Sequence, residues 1–224
     1  NNSKATVSVS GNGIAKDANG GMVGSGDMSI DVLGPGETSI GYFYFSGVQG
    51  VSSVDYSLSY NTKLYYQPVI SSLNVEQTLN NSNVTVKVTN NGSTCAEFVE
   101  AHAIFFDSAN NVICHNSTYL TDNDSEIKPG KSITDQLESF YAYDHVEVYL
   151  TGRSTGKTVD PSALSAVSDE DFEWTEYLYE DSIASMYYVI VKSNASMPVA
   201  ISANAVAKDA NGNTVGAGDM SIDI

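Results

Sequence analysis

Few residues of this chain have the chemistry for catalysis or metal binding. They are three histidines (His102, His115 and His145), two cysteines (Cys95 and Cys114) and one run of alternating acids, Asp122, Asp124 and Glu126. A zinc-type site needs further ligands at spacings that converge on one ion. None follows His102 and His115, so they read as ordinary strand histidines. The acids stand just before Lys128-Pro129-Gly130, where a loop of hard oxygen ligands suits calcium, which takes roughly six to eight of them. The run lacks the glycine and the spacing of an EF-hand loop, so the reading is a solvated acidic loop. Asp122, Asp124 and Glu126 remain its candidate calcium ligands. No nucleophile elbow, phosphate loop or dinucleotide fingerprint is present. Neither an enzyme nor a cofactor is expected.

The two thiols are placed by strand geometry. If Asp107 faces Val112 across a tight turn, Cys114 faces Phe105, and Cys95 lies ten residues farther along the same strand. At about 3.3 Å per residue that is roughly 33 Å, against a limit of about 7 Å between the α-carbons of a disulfide. Cys95 and Cys114 are therefore expected to be free. The same register sets His102 against Ser117 and His115 against Ile104, making the two imidazoles diagonal neighbours.

The elements that carry these residues are strands. Tyr, Val, Thr and Ser are abundant while Leu, Arg and Glu are sparse, a composition that favours sheets. The net charge is -17, from 27 acidic against 10 basic residues, and Arg153 is the sole arginine. Such a surface repels phosphate backbones, which excludes nucleic acid as a partner, and anionic membranes are disfavoured for the same reason. No apolar run is long enough to span a bilayer, so direct membrane insertion of this segment is not expected. Low lysine, abundant Asn, Ser, Thr, Gly and Tyr, and high acidity suit an extracellular or cell-surface setting.

The strongest signal is a repeat. Residues 193–224 match residues 1–32 at a fixed interval of 192, with 18 of 32 positions identical. Asp17 recurs as Asp209, and Asp27-Met28 as Asp219-Met220. Such self-similarity marks a tandem array. Period-two runs between turn signals recur along the chain, the pattern of antiparallel sandwiches. Ile40 to Phe45 reads as an aromatic strand after the turn Gly34-Pro35-Gly36-Glu37. Lys128-Pro129-Gly130-Lys131 holds the same place before a strand from Ile133. Pro68-Val69-Ile70 to Leu79 reads as an opening strand, followed by Val84, Val86 and Val88 facing one way and Lys87 the other. Met186, Tyr188 and Ile190 are read as the later counterparts of those three valines. Gly24 and Gly26 are read as bulge positions.

The expected architecture is all-β: tandem immunoglobulin-like antiparallel β-sandwiches, the first and last incomplete. Residues 1–66 form a unit lacking its opening strands, and 67–153 a complete one. Residues 154–171 form an acidic linker, and 172–224 a unit lacking its closing strands. Open half-sandwiches leave apolar faces and unpaired edges. Neighbouring repeats or a second copy are therefore expected to cover them, by strand addition.

The complete unit resembles the FxLYD-type Ig-like repeat domain of Gram-positive bacterial cell-surface and secreted proteins. The resemblance rests on Val86-Lys87-Val88-Thr89-Asn90-Asn91, Phe105-Phe106-Asp107, Lys128-Pro129-Gly130-Lys131-Ser132 and Val146-Glu147-Val148-Tyr149-Leu150. Ala103 departs from the aromatic of the family name, and the flanking units carry Ala15-Lys16-Asp17 and Ala207-Lys208-Asp209 instead. It implies a bacterial surface or secreted setting and a spacer or interaction role, with no catalysis.

There are 14 tyrosines, and Tyr42, Tyr44, Tyr65, Tyr66, Tyr177, Tyr179, Tyr187 and Tyr188 gather at strand ends and junctions. Tyrosine joins large contact area to a polar tip, so these eight are the interface candidates. Two functions are open at this stage. One is a structural segment of a tandem-repeat protein, serving as a stalk or as a self-assembling extracellular fibre subunit. The other is an adhesin, a module that binds glycans or host proteins.

Overall fold

A computed structural model of the chain describes residues 1–123, 125–159, 169–180, 185–194 and 200–223. The fold is all-β and sandwich-like, made of several small antiparallel sheets. Asn1–Thr158 with Ala205–Gly218 form one compact unit, and Val159–Asn204 with Asp219–Ile224 another. The first of these contains both the first repeat unit (1–66) and the middle one (67–153); in the first repeat unit, β1 (Val7–Lys16), β2 (Met22–Leu33) and β3 (Ser53–Asn61) make a sheet in the order β2-β1-β3.

The stretch that follows builds two facing sheets. Strands β4 (Leu73–Leu79), β5 (Asn83–Asn90) and β9 (Ser132–Glu138) form one, in the order β4-β5-β9. The other holds β6 (Ala96–Phe106), β7 (Val112–Tyr119) and β10 (His145–Arg153) in the order β10-β6-β7, with β8 (Glu126–Ile127) also on β6. Period-two alternation fills the space between them. Val84, Val86 and Val88 of β5 are fully buried with Val99, Ala101, Ala103 and Phe105 of β6. Lys87 points out to water beside Glu76. The opening strand starts later than the sequence suggests, because Ile70–Ser72 is a 3-10 turn. Ser72 closes it, donating its hydroxyl to the Val69 carbonyl at 2.7 Å.

The first sheet repeats the second of these two. Val54, Tyr56 and Leu58 of β3 face the same side as Ala15, Gly13 and Gly11 of β1, just as Val146, Val148 and Leu150 pair with Phe105, Ala103 and Ala101. Asn1 matches Asn90 bond for bond. Their carbonyls accept from Gly36 and Gly130, both at 2.8 Å. The Asn1 side-chain amide donates to the Leu33 and Ala5 carbonyls, as that of Asn90 donates to Ile127 and Thr94. The equivalent of β9 is then residues 38–44, and here the expectation of a strand fails. Residues 38–45 run without a ladder partner, because β9 pairs with β5 and no described residue takes the place of β5 beside this segment.

The segment instead lies face-on over the glycines of β1 and β2. A Cβ on Gly13 would stand 2.9 Å from the Phe43 ring, and one on Gly26 2.8 Å from the Tyr44 carbonyl oxygen. Gly26 is therefore not a bulge, since it sits in continuous ladder opposite Gly13, whereas Gly24, opposite Ala15, flanks a register shift that leaves Val23 unpaired before Met22 meets Lys16. They are small because the covering chain comes close.

The later strands are β11 (Phe172–Glu180) paired with β12 (Ser185–Ser193), and β13 (Ala200–Lys208) paired with β14 (Thr214–Asp223). A 3-10 turn at Asp169–Asp171 leads into β11 as Ile70–Ser72 leads into β4. Phe172 pairs with Ser193 as Leu73 pairs with Asn90. Asn194 donates to the Asp171 carbonyl as Asn91 does to that of Ser72, both at 2.8 Å. This register corrects the sequence alignment by one residue. Tyr187, Val189 and Val191 stand where Val84, Val86 and Val88 stand, not Met186, Tyr188 and Ile190. A one-residue slip exchanges the faces of a strand, and β12 hides the slip by carrying apolar side chains on both. Of the expected linker, residues 160–168 lie outside the described residues, while Ser154 bonds to Gln67 through the backbone.

Three of the described tight turns share one design. Asp17, Asp107 and Asp209 each accept, through Oδ1, from the backbone amides two and four residues on. The fourth turn residue is left-handed: Gly20 (φ 81°), Gly212 (φ 84°) and, in the middle unit, Asn110 (φ 64°). Left-handed backbone costs a residue with a Cβ roughly 1–2 kcal/mol, least for Asn. Asn110→Ala is expected to destabilise the protein by about 1 kcal/mol, and Asn110→Gly to be neutral or stabilising. Paired thermal melts measure both.

Candidate functional site: the joint and its cleft

The expected histidine register is found. His102 pairs with Ser117, Ile104 with His115 and Phe105 with Cys114. The two imidazoles stack at 5.5 Å and 16°, with Nδ1 of His102 at 3.2 Å from Nε2 of His115. Tyr42 from the first sheet's covering segment lies on the pair, its ring 6.0 Å and 5.9 Å from theirs. His102 is 1% exposed. Its Nε2 sits 3.3 Å from a Glu100 carboxylate oxygen without hydrogen-bond geometry. Burial lowers its pKa below the ordinary 6.5, with neighbouring His115 adding to the effect and Glu100 opposing it.

Beside this pair opens a cleft of about 550 Å³. Asp27 to Val32 of β2 with Ile40, Gly41, Tyr42 and Tyr44 form one wall; Phe98, Glu100, Tyr119 and Arg153 form the other. The Glu100 charge, helped by burial, raises the Tyr119 pKa and keeps the phenol protonated as a donor. Aromatic rings beside carboxylates make a surface able to stack on and hydrogen-bond a polyhydroxylated ligand.

Arg153 fastens the wall. Its guanidinium carbon is 4.0 Å from the ring centroids of both Tyr66 and Phe98, and it is ion-paired to Asp31 of β2. Phe98 reaches that position through an irregularity between β6 and β10, where Thr151 pairs with Glu100 but Arg153 with Glu97. Phe98 takes a left-handed φ of 50° there, an outlier for a bulky residue. Thr121 holds the distortion by accepting the Val99 amide at 2.7 Å. Glu37, only 4% exposed, adds a second fastener. One oxygen accepts the Gly34 amide at 2.6 Å and the other the Ser71 amide at 2.8 Å. Sequence reasoning did not single out Phe98, Glu37, Glu100 or Tyr119. A lone arginine in an acidic chain was the available signal, since only a buried or stacked role rewards it over lysine.

The remaining candidates separate. Cys95 is buried and Cys114 half-buried, both as free thiols. Burial, helped by Glu126, raises the Cys95 pKa and so keeps that thiol protonated. Of the acidic loop, Asp124 lies outside the described residues, Asp122 bonds with Ser125, and Glu126 pairs with Lys157 at 2.6 Å. Among the described residues, no group of three His, Cys, Asp or Glu side chains is arranged to hold a metal ion. Tyr65 meets Tyr66 edge-on at 5.0 Å, so these two, with Tyr42 and Tyr44, gather at the joint. Tyr177, Tyr187 and Tyr188 lie on the β11–β12 hairpin, each at least half exposed. The side chain of Tyr179 is outside the described residues.

Two outcomes test the joint. The unfolded chain takes up a proton on His102 near 6.5 while the folded one resists. Stability must therefore fall as pH drops below about 6.5, a slope that His102→Gln flattens; thermal melts across that range measure it. Arg153→Lys loses one flat cation shared by two rings and is expected to cost about 1 kcal/mol, measured by denaturant melts.

Comparison of the chain with protein-family models, curated proteins and solved structures found no match.

Proposed function

We propose that the protein is a structural segment of a bacterial extracellular tandem-repeat protein, serving as a stalk or fibre element. The observation carrying this reading is the division of sandwich layers along the chain. Residues 1–66 have a β2-β1-β3 sheet equivalent to the β10-β6-β7 layer, with an unpaired counterpart of β9, and β11–β12 have the register of β4–β5. Parts that repeat at an interval of 192 residues and complement one another are the construction of an array. The acidic, lysine-poor surface and the FxLYD-like middle unit support a secreted or surface-anchored setting. The stacked arginine and the buried Glu37 support a stiff joint, as a load-bearing spacer requires. Nothing in this role calls for a cofactor or catalysis.

A second reading, a glycan- or host-protein-binding adhesin, is favoured by one feature, the cleft of Tyr42, Tyr44, Tyr119 and Glu100 at the joint. The two readings separate in a thermal-shift screen against calcium and a glycan panel, because a ligand of the native state must raise the melting temperature. The structural reading expects no shift. A dose-dependent rise, abolished by Tyr119→Ala, would establish the adhesin instead.

A further inference from the structure

The cleft at the joint carries charge that the chain leaves uncompensated. Three carboxylates line it, those of Asp27, Asp31 and Glu100, against the single guanidinium of Arg153. Arg153 is already committed, ion-paired to Asp31 and held against two rings. Glu100 differs. Its side chain is only 13% exposed, and among the described residues its one ion-pair contact is with His102, at 3.3 Å. Burial keeps that imidazole neutral at neutral pH. Its Nε2 has no hydrogen-bond partner, although the residue is buried in the cleft wall. A carboxylate largely out of water is costly unless an opposite charge meets it.

The rings beside Glu100 define the kind of cation. Tyr42, Tyr44 and Tyr119 line the cleft and are each more than half exposed, so they present surface to a ligand. Aromatic faces attract cations, most strongly where water is excluded. The wall already shows this chemistry, for the Arg153 guanidinium lies 4.0 Å from the centroids of Tyr66 and Phe98 while pairing with Asp31. Tyr119 and Glu100 repeat the combination of ring and carboxylate without a cation of the chain's own. A bare metal ion is unsuited, since among the described residues no three His, Cys, Asp or Glu side chains are arranged to hold one. The cleft volume of about 550 Å³ lies within the roughly 300–1,000 Å³ of small-molecule sites.

We propose that this cleft binds an alkylammonium group, its charge on Glu100 and its carbon substituents against Tyr42, Tyr44 and Tyr119. A trimethylated head and a primary amine share that chemistry. The first fills the space among the rings, and the second donates hydrogen bonds to the carboxylate. Every wall lies between residues 27 and 153, within one compact unit. The site goes beyond the stalk reading and requires only the cleft.

The test titrates the isotope-labelled full chain at neutral pH and constant ionic strength, following the amide resonances of Glu100 and Tyr119. The probes are choline, n-butylammonium and 3,3-dimethyl-1-butanol, the uncharged isostere of choline. At least one of the two cations is expected to bind about tenfold more tightly than the alcohol, the size of one desolvated cation–π contact. Glu100→Gln, which keeps the side-chain shape, and Tyr119→Leu, at an exposed position, should each weaken that cation about fivefold or more. A preference for choline assigns a methylated head and one for n-butylammonium a primary amine, and either supports the proposal. Equal binding of the alcohol, no saturable shift with either cation, or unchanged affinity in both variants overturns it. Those results leave the stalk reading standing, and an unresponsive glycan and calcium screen leaves the ammonium site standing.

Discussion

A β-sheet with one apolar face is stable only when a second layer covers it, and the organisation of this chain follows from where that second layer is present. In the middle unit the β4-β5-β9 layer covers β10-β6-β7, and the core valines are dry. In the first unit only the equivalent of β9 is present, as a segment with no ladder. Complete burial of one Val or Leu side chain is worth about 1.5–3 kcal/mol over exposure. Val54, Tyr56, Leu58 and Tyr60, 37–66% exposed, therefore leave part of that stabilisation unrealised. One face of the β11–β12 pair carries Phe172, Trp174, Leu178, Tyr187, Val189 and Val191 beside Glu176 and Ser193, the register of β4–β5.

The first unit is nevertheless organised without its missing strands, and the reason lies in an exchange of bulk. Where the middle sheet carries Ala101 and Ala103, the first carries Gly11 and Gly13; where the middle cover carries Leu137, the first carries Phe43. Large residues moved to the cover and small ones to the sheet, so the single segment 38–44 seals more of the face than β9 alone would. Asn1 adds the hydrogen bonds that Asn90 supplies in the middle unit, and Glu37 and Arg153 clamp the sheet to its neighbour. Arg153 shows why the joint is specific. Its fork must meet Asp31 while its plane lies between two rings, which fixes both distance and orientation.

Much of this was legible in the sequence because it depends on period and turn chemistry. The 192-residue repeat, the Asp-led turns and the His102–Ser117 register are local or counted quantities, and hairpin geometry carries them directly into space. What failed depended on partners distant in sequence. Ile40 to Phe45 has every propensity of a strand, but strand structure requires a neighbour, and propensity does not report its absence. The β12 register was misread by one residue because Tyr187, Tyr188, Val189, Ile190 and Val191 are apolar on both faces, so alternation, the usual guide, is silent. Gly26 looked like a bulge former, as Gly24 beside the register shift is, because a close covering chain and a bulge demand the same residue. Phe98 was invisible because an αL phenylalanine contradicts local preference, and its position is supported from distant residues, by Arg153 over its ring and by Thr121 on the next amide.

The two-faced character of β12 then takes on meaning. A strand in an ordinary exposed layer, such as β5, spends its outer positions on Thr85, Lys87 and Thr89, which keep the sandwich soluble. Strand β12 places Met186, Tyr188 and Ile190 there instead, and β3 alternates clean serines and an aspartate with its apolar row. Alternation therefore reports the facing of β3, whose one apolar row lies opposite serines and an aspartate, and cannot report that of β12, where Tyr187, Val189 and Val191 on one face are matched by Met186, Tyr188 and Ile190 on the other.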